Sequence, residues 1–229
     1  LVPGGPATGA ALVAHPAIAG IAFTGSTATA RAINRALAAK DGPIVPLIAE
    51  TGGLNAMVVD ATALPEQVTD DVLTSAFRSA GQRCSALRLL CLQADAADRM
   101  LAMIAGAAAE LRMGDPRDPA THLGPLIDAE AKARIHRWLA ALPPGARETF
   151  RHPGAETGNF LAPRIVELSR PEDLTREVFG PVLHVVRWRA DRLDSLLSGI
   201  AASGYGLTLG VQSRRAGFAA RVAAAAPAG

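Results

Sequence analysis

The sequence predicts an α/β fold with parallel strands, and three observations indicate it. Short apolar segments alternate with segments of helical periodicity along the whole chain, as in parallel sheets covered by helices. The first of these units, a strand at 18–24, a glycine turn, a helix at 27–39 and a strand at 44–49, has the length of half a nucleotide-binding domain. The 229 residues are 49% hydrophobic and 19% charged, which is typical of a globular protein.

The individual elements follow from periodicity and from the positions of glycine and proline. Pro65 is placed to begin a helix, and Gly81 is placed to cap its C-terminus. Residues 143–158 are rich in Pro and Gly and predict a loop insertion. The predicted strands are 18–24, 44–49, 56–59, 87–92, 160–167, 183–188 and 207–212. The other predicted helices are 10–15, 27–39, 96–111, 129–141, 192–202 and 214–224.

Composition and charge argue against several classes of protein. The net charge is only +2, without a block of like charges, so a nucleic-acid interface is not expected. The two cysteines form no Cys-x-x-Cys pair and the five histidines are dispersed, so neither a disulfide scaffold nor a metal site is predicted. No run of about 18 apolar residues predicts a membrane span, and no signal peptide is evident. These features predict a cytoplasmic location.

Cys84 is the first candidate catalytic residue, because Gly81, Gln82, Arg83 and Ser85 surround it with small and polar side chains. A thiolate is a strong nucleophile, and a nearby arginine favours the thiolate form. The alternative is a small buried side chain, the usual fate of a free cysteine. That alternative suits Cys91, which lies in an apolar strand, better than it suits Cys84.

Glu50 and the turn at Gly25 and Ser26 are further candidates at strand ends. Glu50 ends an apolar strand and precedes Thr51-Gly52-Gly53, so its carboxylate is placed where α/β sites form. A surface glutamate is the alternative. The Gly-Ser-Thr turn precedes a helix and is a candidate pyrophosphate site, although a plain N-cap would use the same residues. The turn lacks the Gly-x-Gly-x-x-Gly fingerprint.

Glu177 and Phe179 form the last candidate pair, in Glu-Val-Phe-Gly-Pro. A carboxylate accepts hydrogen bonds from two ribose hydroxyls, and an aromatic ring packs against a nicotinamide. A turn ending in Gly-Pro, with Phe179 in the core, is the alternative.

In combination, these motifs resemble the aldehyde dehydrogenase superfamily in order and spacing. The resemblance runs from residue 1 to 229, and its finer match is to the 1-pyrroline-5-carboxylate (L-glutamate γ-semialdehyde) dehydrogenase module of the bifunctional proline utilization A family. The motifs are residues 23–27, 50–53, 81–85, 114–116, 123–127, 177–181 and 205–208.

The resemblance implies a role for each candidate residue. Cys84 is the expected nucleophile and Glu50 the general base. Gly25 and Ser26 are expected at the pyrophosphate of NAD, and Glu177 and Phe179 at its nicotinamide riboside.

It further implies a substrate and partners. The expected substrate is glutamate γ-semialdehyde, with Ser85 holding its carboxylate. FAD is expected only in a fused proline dehydrogenase domain, and the parent protein is expected to be a homo-oligomer.

The resemblance also implies a partial three-layer fold. Residues 1–49 correspond to the end of the NAD-binding domain, and residues 50–229 correspond to a catalytic domain without its C-terminal end. We therefore expect the chain alone to be inactive. Three alternatives stay open: another aldehyde as substrate, a thiol hydrolase that pairs Cys84 with a histidine such as His122 or His184, and a non-catalytic truncated module.

Overall fold

The computed structural model describes residues 1–225 and 228, so the end of the range 50–229 lies outside the described residues. Two compact units are present, Leu1–Gly52 and Gly53–Gly229. Each is described by itself. The assignment of residues 1–49 to a cofactor domain and 50–229 to a catalytic domain stays a prediction.

The first unit consists of two helices and two parallel strands: α1 (Pro6–Ala14), β1 (Ile21–Thr24), α2 (Thr27–Ala38) and β2 (Leu47–Glu50). Pro6 occupies the first turn of α1, so this helix begins earlier than its predicted start at residue 10. The apolar sequence of the strand predicted at 18–24 is typical of a buried strand, but the residues of β1 alternate between half-buried and exposed. A cavity of about 780 Å³ with apolar walls lies over this strand and the two helices.

The second unit is built on a six-stranded sheet in the order β5-β6-β7-β4-β3-β8. All neighbouring strands are parallel except β5, which is antiparallel to β6. The strands are β3 (Ala56–Val59), β4 (Leu89–Gln93), β5 (Arg147–Arg151), β6 (Arg164–Glu167), β7 (Val182–Trp188) and β8 (Leu209–Gln212). The helices are α3 (Pro65–Phe77), α4 (Ala94–Ala109), α5 (Ala129–Ala140), α6 (Leu193–Ala202) and α7 (Ala216–Ala225).

Two apolar clusters, one on each face of this sheet, form the core of the second unit. Alternate residues of a strand point to opposite faces, so Leu89 and Cys91 join one cluster while Leu90 and Leu92 join the other. Helices α3 and α4 supply the second cluster, and α5, α6 and α7 supply the first. The unit is therefore a helix–sheet–helix sandwich, which is the three-layer α/β arrangement that the sequence predicts.

Two predicted elements were wrong. Residues 143–158 are not entirely a loop, because they contain edge strand β5. Its exposed arginines hide the strand from a search for apolar runs, and Arg147 pairs with Glu167 across the edge. Gly81 does not cap α3 directly, because the helix ends at Phe77 and a 3₁₀ turn, Arg78–Gly81, follows. The described residues include no helix that is long and apolar enough to span a membrane.

Candidate active site

The segment between α3 and β4 presents Cys84 to the surface. Ser79, Ala80 and Gly81 have φ angles of 57°, 51° and 65°, a left-handed run that turns the chain sharply after the helix. A side chain at position 81 would collide with the carbonyl of Gly180. Cys84 follows this turn and is exposed, whereas Cys91 in β4 is fully buried. Burial raises the pKa of the Cys91 thiol far above its ordinary value.

Asn55 holds the backbone on both sides of Ser85. The buried amide donates from Nδ2 to the carbonyl of Cys84 at 2.7 Å and to that of Ala86 at 2.9 Å. Its Oδ1 accepts from the backbone N–H of Thr208 at 3.2 Å. A buried amide that uses both donors and its acceptor in this way fixes the peptide path around Cys84.

Arg88 is fully buried at the end of the same segment. Its Nη2 donates to the carbonyl of Arg83 at 2.9 Å, and its Nη1 donates to the carbonyl of Gly180 at 3.2 Å. The guanidinium also lies 3.6 Å from Oε1 of Glu177 and 5.3 Å from the centre of the Phe179 ring. Burial lowers the pKa of Arg88, and the charge of Glu177 opposes that effect.

Arg88 therefore contacts both the Cys84 segment and the side chains of Glu177 and Phe179. The Oε1 atom of Glu177 also accepts from the N–H of Gly53 at 3.4 Å. Burial raises the pKa of Glu177, and the charge of Arg88 and the Gly53 N–H act in the opposite direction. Phe179 keeps 43% of its surface exposed, so it does not belong to the core.

Ser85 is exposed and lines a cavity of about 270 Å³. Asn55, Ser75 and Thr208 line the same cavity, which gives it polar groups on several sides. Alanine, methionine and leucine residues complete the lining, so the cavity is mostly apolar with a few polar groups, as small-molecule sites commonly are.

The remaining candidates lie in the first unit, at one edge of its small sheet. Thr24 and Glu50 are paired in register at the ends of β1 and β2, and the N–H of Gly25 donates to the carbonyl of Glu50 at 3.1 Å. Ser26 caps α2 by accepting from the N–H of Thr29 at 3.1 Å. Gly25, Ser26 and Glu50 are exposed. The glycine turn, the N-terminus of α2 and the carboxylate thus share an accessible edge.

Arg83 and the histidines do not supply the partners of Cys84 considered from the sequence. The Arg83 guanidinium donates to the carbonyls of Thr74 and Ser75 near the end of α3. In His184, Nε2 lies 3.0 Å from the indole nitrogen of Trp138, and Nδ1 lies 3.0 Å from the carbonyl of Arg88. His122 accepts from the N–H of Arg112. Within the described residues no histidine bonds to Cys84, and the hydrolase alternative has no support.

Sequence reasoning missed Asn55 and Arg88. Both are polar residues next to apolar strand sequences, Asn55 before β3 and Arg88 before β4. A polar side chain at such a junction signals a buried hydrogen-bonding role. The described residues contain no cluster of three or more His, Cys, Asp or Glu side chains that could hold a metal ion.

Comparison with known proteins places this chain in a family. Residues 1–229 match the sequence model of the aldehyde dehydrogenase family, and the chain belongs to that family. The partial α/β fold of that family is thereby confirmed.

Two similar proteins are much longer than this chain. The "Bifunctional protein PutA" of Klebsiella aerogenes is 50% identical over 93% of this chain, which spans 17% of that protein. A crystal structure of a variant of Bradyrhizobium japonicum Proline Utilization A (PutA) is 61% identical, with a TM-score of 0.95, over 99% of this chain and 23% of its own. This chain is thus similar to a small part of each of them.

Two further relatives have names other than PutA. The N-succinylglutamate 5-semialdehyde dehydrogenase of Sphingopyxis alaskensis is 39% identical over 82% of this chain and 39% of its own length. A crystal structure of PnpE in complex with nicotinamide adenine dinucleotide is 32% identical, with a TM-score of 0.88, over 96% of this chain and 46% of its own.

Proposed function

We propose that this chain is part of an NAD-dependent dehydrogenase that oxidises L-glutamate γ-semialdehyde to L-glutamate through a thioester on Cys84, in proline catabolism. The observation that carries the proposal is the exposed thiol of Cys84 in a segment held by buried Asn55 and Arg88. Membership of the aldehyde dehydrogenase family and 50–61% identity to bifunctional proline utilization proteins support the choice of reaction and pathway.

Cys84 performs the covalent chemistry. Its thiolate adds to the aldehyde carbon and forms a thiohemiacetal, and loss of hydride from that carbon leaves a thioester. The backbone N–H of Cys84 donates to the developing oxyanion, and losing one such donor commonly lowers the rate about 10² to 10³-fold. Glu50 takes a proton from water as the water attacks the thioester, which releases glutamate and regenerates the thiolate.

The residues proposed to hold NAD suit that cofactor. NAD, when bound, supplies the acceptor for the hydride. The exposed N-terminus of α2, with Gly25 and Ser26, suits a pyrophosphate because helix N-termini bind anions. Glu177 has a carboxylate oxygen for ribose hydroxyls, and the exposed ring of Phe179 offers an apolar face to a nicotinamide. The complex of a 32% identical relative with the dinucleotide supports the same cofactor.

Ser85 is proposed to hold the substrate carboxylate. Ser85 follows Cys84 in the chain and lines the cavity of about 270 Å³, and a hydroxyl donates well to a carboxylate. N-succinylglutamate 5-semialdehyde is the second candidate substrate, because dehydrogenases named for it are 35–39% identical to this chain. Identity to the proline utilization proteins is higher, which favours the unsuccinylated aldehyde.

The fused domain, assembly and location of the protein stay proposals from the sequence. A proline dehydrogenase domain with FAD, homo-oligomeric assembly and a cytoplasmic location are proposals for the complete gene product. The expectation that residues 1–229 alone turn over no substrate stays a prediction.

The decisive experiment follows NADH formation by the complete gene product. L-glutamate γ-semialdehyde, N-succinylglutamate 5-semialdehyde and an uncharged aliphatic aldehyde are compared at equal concentration. We expect the highest kcat/KM for the first. In Ser85→Ala we expect a fall of at least about tenfold for the two aldehydes that carry a carboxylate, and none for the uncharged aldehyde, because a charge-assisted hydrogen bond is lost. Equal kcat/KM for the three aldehydes, or no NADH from any, would reject the proposal.

A further inference from the structure

Arg88 is an unexpected residue to find fully buried. Burying a guanidinium costs several kcal/mol unless it is paired and hydrogen-bonded, and apolar replacements of buried ion pairs are often at least as stable. Arg88 is only partly compensated, because its Nε has no hydrogen-bond partner within the described residues. Stability alone therefore does not account for this arginine.

The contacts of Arg88 join two segments that are distant in sequence. One end of its planar fork donates to the carbonyl of Arg83, the residue before Cys84, and the other donates to the carbonyl of Gly180, 92 residues away. The two bonds are 2.9 Å and 3.2 Å long. Because guanidinium geometry is rigid, they fix the spacing between the two carbonyls.

The same guanidinium orders Glu177. It lies 3.6 Å from Oε1, and the N–H of Gly53 donates to that same oxygen at 3.4 Å. Within the described part of the chain, the polar contacts of this carboxylate use Oε1 and leave Oε2 as an acceptor. One oxygen is therefore held by the protein, while the other is available at a side chain that is 19% exposed.

We propose that Arg88 is a positioning residue for the dehydrogenase reaction, which sets the Cys84 segment against the segment of Glu177 and Phe179. This inference rests on the proposed function, in which Cys84 holds the aldehyde and Glu177 and Phe179 hold the nicotinamide riboside. Hydride transfer requires the two reacting carbons to be aligned, and a misplacement of about 1 Å costs on the order of 10²-fold in rate. Arg88 links the two sides of that alignment through one rigid group.

The test uses the complete gene product with Arg88→Met, Arg88→Lys and a control, Arg99→Met, on an exposed site of α4. Met keeps the length and removes the charge and the fork, while Lys keeps the charge alone. We expect Arg88→Met to lower kcat about 100-fold and to raise the KM for NAD about tenfold. For Arg88→Lys we expect a KM for NAD close to that of the unmodified protein, because the lysine still faces Glu177. Its kcat should stay low, because an ammonium group cannot bond to both carbonyls.

Two measurements keep the inference separate from stability and from the proposed function. Thermal unfolding identifies the variants that are folded, and the rate of Cys84 alkylation by iodoacetamide, without cofactor or aldehyde, reports on the Cys84 segment alone. We expect this rate to change at least about threefold in Arg88→Met and to stay constant in Arg99→Met.

Lowered melting temperature with unchanged kcat, KM and alkylation rate would show a purely structural arginine and overturn the inference. If Arg88→Met does not fold, native kcat in Arg88→Lys overturns it equally. If the unmodified protein oxidises no aldehyde, the proposed function fails, and an unchanged alkylation rate is then the result that rejects a positioning role.

Discussion

The two cysteines lie seven positions apart in regions of opposite character. Strand β4 carries Cys91 in regular parallel pairing between two apolar clusters, and its thiol is inaccessible. The preceding segment carries Cys84 after a left-handed turn, and its backbone is held by the side chains of Asn55 and Arg88. The strand and the segment that carries the exposed thiol are thus adjacent in the chain, but apolar packing stabilises the first and polar side-chain contacts stabilise the second.

The difference shows how this fold presents one thiol at the surface and buries the other. Apolar burial and ladder hydrogen bonds hold most of β4, but that environment raises the pKa of the Cys91 thiol and leaves it inaccessible. The preceding segment leaves the apolar clusters, so polar contacts must replace the packing that it loses. The buried polar residues around Cys84 are the consequence of keeping that thiol at the surface.

Replacing each cysteine by alanine should give the largest contrast. Cys84→Ala removes the proposed nucleophile, and we expect kcat for NADH formation to fall at least about 10³-fold. Cys91→Ala removes a buried sulfur, which should cost about 1 kcal/mol of stability and leave kcat within about threefold. Steady-state kinetics of the two variants side by side checks this, and equal losses of activity would remove the distinction between the two regions.

The left-handed turn before Cys84 should tolerate substitution poorly. Gly81→Ala places a side chain at φ 65° against the carbonyl of Gly180, so we expect a loss of about 2–4 kcal/mol in free energy of unfolding. Gly106→Ala in α4 is the matched control, because open space surrounds that glycine and alanine favours a helix. Urea unfolding of both variants measures the difference, and an equally stable Gly81→Ala would refute the strained turn.

Lowering the pH should destabilise the second unit through His184, whose ring lies against the carbonyl of Arg88 just before β4. Burial lowers the pKa of His184 to about 4, with the Arg88 carbonyl opposing this effect, whereas the unfolded chain has the ordinary value near 6.5. The unfolded state therefore binds more protons as pH falls from about 6.5 towards 4, and stability is lost across that window.

We expect the free energy of unfolding to fall by about 2 kcal/mol from pH 7 to pH 5 on this account. His184→Gln should flatten that dependence, whereas exposed His136→Gln should retain it. Trp138 and Trp188, the only tryptophans, both lie in the second unit, so their fluorescence during urea unfolding reports on it. If the free energy of unfolding of His184→Gln depends on pH as strongly as before, another group causes the acid sensitivity.

Much of the architecture was predictable because it depends on local periodicity. The apolar run at 56–59 became β3 with the predicted bounds, and Pro65 begins α3 as expected. Strand β5 was missed because an edge strand with exposed arginines has no apolar run to reveal it. Edge strands commonly carry such charges.

Sequence reasoning named the exposed residues of the candidate site but not the buried residues that hold their backbone. Small and polar neighbours predicted that Cys84 would be less buried than Cys91, and Cys84 is exposed while Cys91 is buried. The role of Arg88 depends on Gly180, 92 residues away, and no local pattern encodes that contact. Arg83, the arginine beside Cys84 in sequence, instead bonds to carbonyls of α3, because the turn at 79–81 directs it there.

The most direct test of a thioester on Cys84 is to trap it. Glu50→Gln should slow hydrolysis, so the variant is mixed with NAD and L-glutamate γ-semialdehyde, quenched in acid, digested with pepsin and sequenced by tandem mass spectrometry. We expect a burst of NADH close to one per chain, little further turnover, and the acyl mass on Cys84 with Cys91 unmodified. Acylation of Cys91, or a burst that leaves both cysteines unmodified, would contradict the account.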